Sequence, residues 1–136
     1  MNTLTHTDIV LVVDDSPDAL SLINDALEVE GLDVLVALEG RQALTIAKRI
    51  RPDVILLDAV MPVMDGFETC KQLKLNSDLA DIPVIFMTGL SDTDDIVKGL
   101  EVGGVDYLIK PINPAELIAR MKVHLKNARL TKSAQS

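Results

Sequence analysis

A chain of 136 residues, 48% hydrophobic and 25% charged, has the size and mix of a single globular domain. With 21 Asp and Glu against 13 Lys and Arg, the net charge of −8 repels nucleic-acid phosphates, and 2% aromatic content is too low for a base-stacking platform. Acids or glycines break every apolar run short of a membrane span, and MNTLTHTD lacks the regions of a secretory signal. The lone Cys70 excludes an intramolecular disulfide and fits a reducing compartment, so the expected location is the cytoplasm.

Strand and helix patterns alternate five times along the chain. Ile9–Val13 is a continuous apolar run, as in a strand buried on both faces. Ser16-Pro17 then supplies an N-cap and a first-turn proline for a helix whose apolar face is Leu20, Leu22, Ile23, Ala26 and Leu27, stopped by Gly31. Asp33–Leu38 is predicted as the second strand, followed by a helix over Arg41–Ile50 with Ala43, Leu44, Ala47 and Ile50 inward. After Pro52 comes a third strand, Val54–Leu57, then a loop marked by Met61-Pro62 and Asp65-Gly66, and a helix over Phe67–Leu75. Pro83–Met87 is the fourth strand, and Ser91 caps a helix over Asp92–Val102 that Gly103-Gly104 ends. Asp106–Ile109 is the fifth strand. Asn113-Pro114-Ala115-Glu116 opens a last helix to about Arg129, followed by a polar tail over 130–136. The basic residues Arg120, Lys122, Lys126 and Arg129 scatter around that helix as a solvated face, not a nucleic-acid patch.

This alternation implies a parallel sheet with helices on both faces, and leaves strand order open. It puts Asp14-Asp15, Asp58, Thr88 and Lys110-Pro111 at one sheet edge, the carboxyl ends of the strands, where such sheets bind ligands. Adjacent carboxylates at Asp14 and Asp15 suit Mg²⁺, although one of them capping the next helix reads equally well. Asp58 at the end of an apolar strand is a candidate phosphoryl acceptor, or only a turn residue. Thr88 would offer a hydroxyl to a phosphoryl oxygen, Gly89 would let backbone approach, and Lys110 would act as a point charge. The peptide bond before Pro111 is a candidate for the cis form.

The segments VLVVDDSPD, PDVILLDAVMPVMDGFE, DIPVIFMTG and GLEVGGVDYLIKP resemble the receiver domain of two-component response regulators, over roughly residues 8–129, with 1–7 as an N-terminal extension. The resemblance implies a flavodoxin-like (βα)5 sheet of order 2-1-3-4-5. It implies that Asp58 is the phosphoacceptor, served by a phosphohistidine of a sensor histidine kinase or phosphotransfer protein. Asp15, Asp58 and the Val60 carbonyl resemble direct Mg²⁺ ligands, with Asp14 assisting through water or a hydrogen bond. Thr88, Lys110 and Tyr107, with Ala59 and Gly89 beside them, resemble the phosphoryl-sensing switch. The readout face would be helix 92–102, strand 106–109 and helix 114–129, a candidate homodimer surface. Hydrolysis of the acyl phosphate needs a positioned water; Val60 and Leu90, each two residues past a site residue, are apolar, which predicts slow autodephosphorylation. An aspartate-based Mg²⁺ phosphatase would want an acid at position 60, where Val60 stands. A flavin or nucleotide module would be repelled by Asp14-Asp15. A receiver-like interaction module that is never phosphorylated is the remaining alternative. His6 and His124 lack the partner pattern of phosphocarriers. Cys70 and Met61, Met64 and Met87 read as packing.

Overall fold

The computed structural model describes residues 7–89 and 93–135, with side chains over 7–89 and 94–128. Five parallel strands, β1 (Ile9–Val13), β2 (Asp33–Ala37), β3 (Val54–Asp58), β4 (Val84–Thr88) and β5 (Asp106–Ile109), form one sheet of order β2-β1-β3-β4-β5. The helices α1 (Pro17–Val29), α2 (Gly40–Arg49), α3 (Gly66–Leu75), α4 (Thr93–Glu101) and α5 (Pro114–Gln135) alternate with them. Both the expected alternation and the expected strand order hold.

Alternate strand residues feed opposite faces, because successive side chains on a strand point to opposite sides. Val10, Val12, Val54, Leu56, Ile85 and Met87 pack on Leu20, Ile23 and Leu27 of α1 and on Leu117, Met121 and Leu125 of α5. Leu11, Val13, Ile55, Leu57, Val84 and Phe86 pack on Ala43 and Ala47 of α2 and on Phe67, Cys70 and Leu73 of α3. Each central strand is therefore apolar throughout, and the first polar residue at its end marks the edge of the core.

Helix entry follows the expected chemistry. The Ala19 N–H donates to Ser16 Oγ at 3.3 Å, and the Glu116 N–H donates to Asn113 Oδ1 at 3.1 Å. Asp65 does the same for α3, accepting from the Glu68 N–H at 2.8 Å. Gly103 follows α4 at φ 111, and a Cβ on Gly104 would lie 2.6 Å from the Phe86 ring. The pair is thus a helix stop followed by a close approach. Ser91 and Asp92, expected to cap and open α4, lie outside the described residues.

Three expectations need correction. Leu22 is 54% exposed and Ile50 47% exposed, so neither belongs to the inward faces assigned to them. Leu22 falls between Leu20 and Ile23 but off the stripe of Leu20, Ile23 and Leu27, and Ile50 already has extended backbone beyond the last turn of α2. The last helix does not stop at Arg129. It continues to Gln135, because nothing in LTKSAQ is a glycine or proline that would end it.

Candidate phosphoacceptor site

The ladder hydrogen bonds run one step past the strand ends and fix the site backbone. The Asp14 N–H donates to Ala37 O at 3.1 Å, the Ala59 N–H to Met87 O at 2.9 Å and the Lys110 N–H to Thr88 O at 2.7 Å. Asp14, Asp58 and Thr88 are buried, while Asp15 is exposed at the rim. Asp14, Asp15 and Asp58 each offer a carboxylate oxygen, and these oxygens lie within 4.8 Å of one another.

Lys110 completes the cluster. Its Nζ donates to Asp14 Oδ2 at 2.8 Å and stands 3.3 Å from Asp58 Oδ2. The other Asp14 oxygen accepts the Ser16 N–H at 2.9 Å, and Asp58 Oδ1 accepts the Val60 N–H at 3.2 Å. Asp14 therefore also serves the turn into α1, whose N-cap is Ser16 and not an aspartate. The Lys110–Pro111 bond is cis.

Burial and the neighbouring Asp14 charge push the Asp58 carboxyl up to about 6, against the opposing pull of Lys110 and the Val60 N–H. Burial works against the Lys110 ammonium, but its bonds to Asp14 and Asp58 raise it above the ordinary lysine value. One ammonium against three carboxylates leaves the cluster short of positive charge.

A family description, response regulator receiver domain, matches residues 10–122. The chain belongs to that family. It is 41% identical over 117 residues to the DNA-binding response regulator MtrA of Mycolicibacterium smegmatis, an alignment covering 86% of this chain and 50% of that protein. The chain thus spans about half the length of the curated relatives it matches. Among solved structures, it is similar to the chemotaxis protein CheY4 of Vibrio cholerae, with TM-score 0.83, 34% identity and coverage of 86% of this chain and 98% of that one. The receiver domain of Francisella response regulator 1452 is similar at TM-score 0.82 and 35% identity, over 89% and 98% of the two chains. As a receiver, this chain is a signalling module and not a catalytic enzyme, and receivers partner with sensor kinases. Its acidic cluster is the kind of divalent-metal site typical of receivers.

The remaining residues singled out in the sequence fall in several parts of the receiver. Ala59, Thr88 and Tyr107 line one hollow with Phe67, Phe86 and Gly99, whose free volume of about 10 Å³ holds at most a single water. Gly89 is exposed at the end of β4, and Leu90 lies outside the described residues. The Val60 side chain is 58% exposed. His124 has a structural partner: its Nε2 lies 3.0 Å from Asp106 Oδ2, and Arg120 Nη1 donates to both Asp106 oxygens at 3.0 and 3.1 Å. Lys122 pairs with Glu30 at 2.9 Å, tying α5 to α1. His6 is outside the described residues. Buried Cys70 has its thiol pushed up to about 11 by burial, as an unreactive packing residue would. Among the described residues no helix is long and apolar enough to cross a membrane.

The Asp106 cluster escaped sequence reasoning. Its partners come from β5 and α5, and no motif marks them in advance.

Proposed function

We propose that this receiver is a switch in which Asp58 accepts a phosphoryl group from a sensor-kinase phosphohistidine, with Mg²⁺ at the acidic cluster. The observation that carries the reading is the meeting of three carboxylates with a single ammonium at the carboxyl edge of the sheet. A hard divalent cation with oxygen ligands suits that charge deficit, and the raised Asp58 carboxyl expresses the same deficit. Asp15, Asp58 and the Val60 carbonyl would hold the ion. Asp14 would act indirectly, since both its oxygens already accept N–H donors. Mg²⁺, when bound, supplies the positive charge that lets two anions approach.

In the transfer, an Asp58 oxygen forms a bond to phosphorus as the bond from phosphorus to the donor's imidazole nitrogen breaks, and the nitrogen keeps the electron pair. Lys110 exchanges its contact with Asp58 for one with a phosphoryl oxygen, and the Thr88 hydroxyl donates to another. Ala59 and Gly89 provide backbone beside the group. Thr88 and Tyr107 share the hollow under α4, which supports treating them as coupled. The hollow is too small for a phenol ring as it stands, so inward movement of Tyr107 requires Thr88 or α4 to give way. Val97 and Leu100 of α4, Val105 before β5, Ile109 of β5 and Val123 of α5 are exposed apolar side chains. They support the α4–β5–α5 side as the surface read by a partner or a second copy. The net charge of −8 argues against direct DNA contact by this chain, and a reducing, cytoplasmic setting suits it.

The phosphorylated form should be long-lived. Val60, at the mouth of the site, can neither orient nor deprotonate an attacking water, and neither can the leucine at position 90. Val60→Asn is expected to speed loss of the phosphoryl group; fast loss in the parent that Val60→Asn leaves unchanged would refute this.

Intact-protein mass after incubation with acetyl phosphate tests the central step. A gain of one phosphoryl group that needs both Mg²⁺ and Asp58, with Asp58→Ala as control, is the expected result. No gain in folded protein would favour an unphosphorylated interaction module.

A further inference from the structure

Two glycines open helices next to the site without needing a glycine backbone. Among the described glycines only Gly31 and Gly103 have positive φ, so Gly40 and Gly66 are not there for conformation. What they lack is room. A Cβ on Gly66 would lie 2.2 Å from Asp58 O and 2.8 Å from Ala59 Cα. A Cβ on Gly40 would lie 2.3 Å from Thr69 Oγ1 and 3.0 Å from Met64 Sδ.

These contacts bracket the loop between β3 and α3. The Gly66 N–H donates to Ala59 O at 2.9 Å, closing the loop onto the residue after Asp58. Buried Thr69 donates its hydroxyl to Asp65 O at 2.8 Å, so pressure on Thr69 passes to the residue before Gly66. An alanine would suit either helix better than glycine. The close approach is the feature the glycines allow.

We infer that Gly40 and Gly66 are positioning residues, clamping the β3–α3 loop from two sides so that the Asp58 carboxylate and the Val60 carbonyl face one point. The inference rests on the metal-dependent reading of the site. It adds α2, an element that supplies no ligand, to the parts that set metal affinity.

Calorimetric titration of the metal-free chain with Mg²⁺ tests it apart from phosphorylation. Gly40→Ala is expected to weaken Mg²⁺ binding about tenfold, as loss of outer-shell support does at other metal sites. Gly40→Ala combined with Thr69→Ala, which removes the atom in the way, is expected to restore most of that loss. Deleting that hydroxyl relieves the fold as well as the site, so denaturant melts of each variant accompany the titration, and weakened Mg²⁺ binding at parental stability is the expected result. Met64→Ala loosens the same clamp without adding an atom, and is expected to weaken binding in a protein of parental helix content. Parental affinity in folded Gly40→Ala, or in Met64→Ala should Gly40→Ala fail to fold, overturns the inference alone. Absence of Mg²⁺ binding by the parent overturns the reading beneath it as well.

Discussion

Without metal and above neutral pH, Asp58 carries its charge in a buried position beside Asp14, and only Lys110 offsets it. Replacing it by Asn keeps the shape and an acceptor for the Val60 N–H while removing the charge. The native carboxyl is raised from 3.8 to about 6, so roughly two units separate folded and unfolded chains. At about 1.4 kcal/mol per unit, ionised Asp58 costs the folded state about 3 kcal/mol, an upper bound for the gain in Asp58→Asn. For a domain of this size that is a rise of roughly 10 °C in Tm. A group whose folded value is raised contributes its full stability below the unfolded value. That contribution is lost as pH rises through the folded one. The difference in stability between Asp58→Asn and the parent is therefore expected to be near zero at pH 3.8 and to open up to about pH 6, staying constant above. Paired urea melts followed by circular dichroism in a chelator, across that range, would read it directly. A difference independent of pH, or an Asp58→Asn protein less stable than the parent in alkaline buffer, would refute the reasoning. Saturating Mg²⁺ should narrow the gap by stabilising the parent.

Two further outcomes concern regions outside the acidic cluster. Val63 is fully exposed at φ 70, in a tight turn closed by the Met64 N–H donating to Pro62 O at 2.8 Å. A β-branched residue there costs about 1–2 kcal/mol, and glycine gives back part of the relief through unfolded-state entropy, so Val63→Gly is expected to stabilise by about 0.5–1 kcal/mol in thermal melts. Asp106 is opposed by burial, but bonds from His124, the Tyr107 N–H and Arg120 hold its carboxyl below the ordinary value. Its contribution is present above the unfolded value and lost as pH falls below it. Asp106→Asn is thus expected to cost about 1–3 kcal/mol near neutral pH and less in acid. A cost that grows on acidification would contradict this account.

The central strands β1, β3 and β4 are legible because each is a closed apolar run ended by a polar residue, so the runs name both the sheet and its functional edge. Helix starts were equally plain at Ser16 and Asn113, where one side chain answers one backbone donor. Leu22 lies mid-helix but off the inward stripe, and Ile50 lies past the last turn, and apolar character alone marks neither. The helix past Arg129 reads in the sequence only as a polar tail, although Leu130, Lys132, Ala134 and Gln135 are good helix formers. At the candidate site, the strand ends announced Asp14, Asp58, Thr88 and Lys110. Their pairing, Lys110 on Asp14, did not show in the sequence, since it joins the first strand to the last. The contacts of Gly40 and Gly66 stayed hidden for the same reason: spacing along a chain does not record which backbone passes within van der Waals reach of another.

The length of α5 has a mechanical consequence. Its 22 residues make about 33 Å of helix, against about 17 Å for a five-residue strand. At His124, Leu125 and Asn127 it already walls a groove of about 1160 Å³ with Asp8 and Asp53, which precede β1 and β3 at the amino end of the sheet. The last turns therefore reach past the sheet, while Arg120 and His124 pin the middle of the helix to Asp106. Such a rod works as a lever. A tilt of about five degrees at that pin sweeps the far end through roughly 1.5 Å. A rearrangement too slight to register beside β5 would thus be magnified at the opposite pole of the domain, farthest from Asp58.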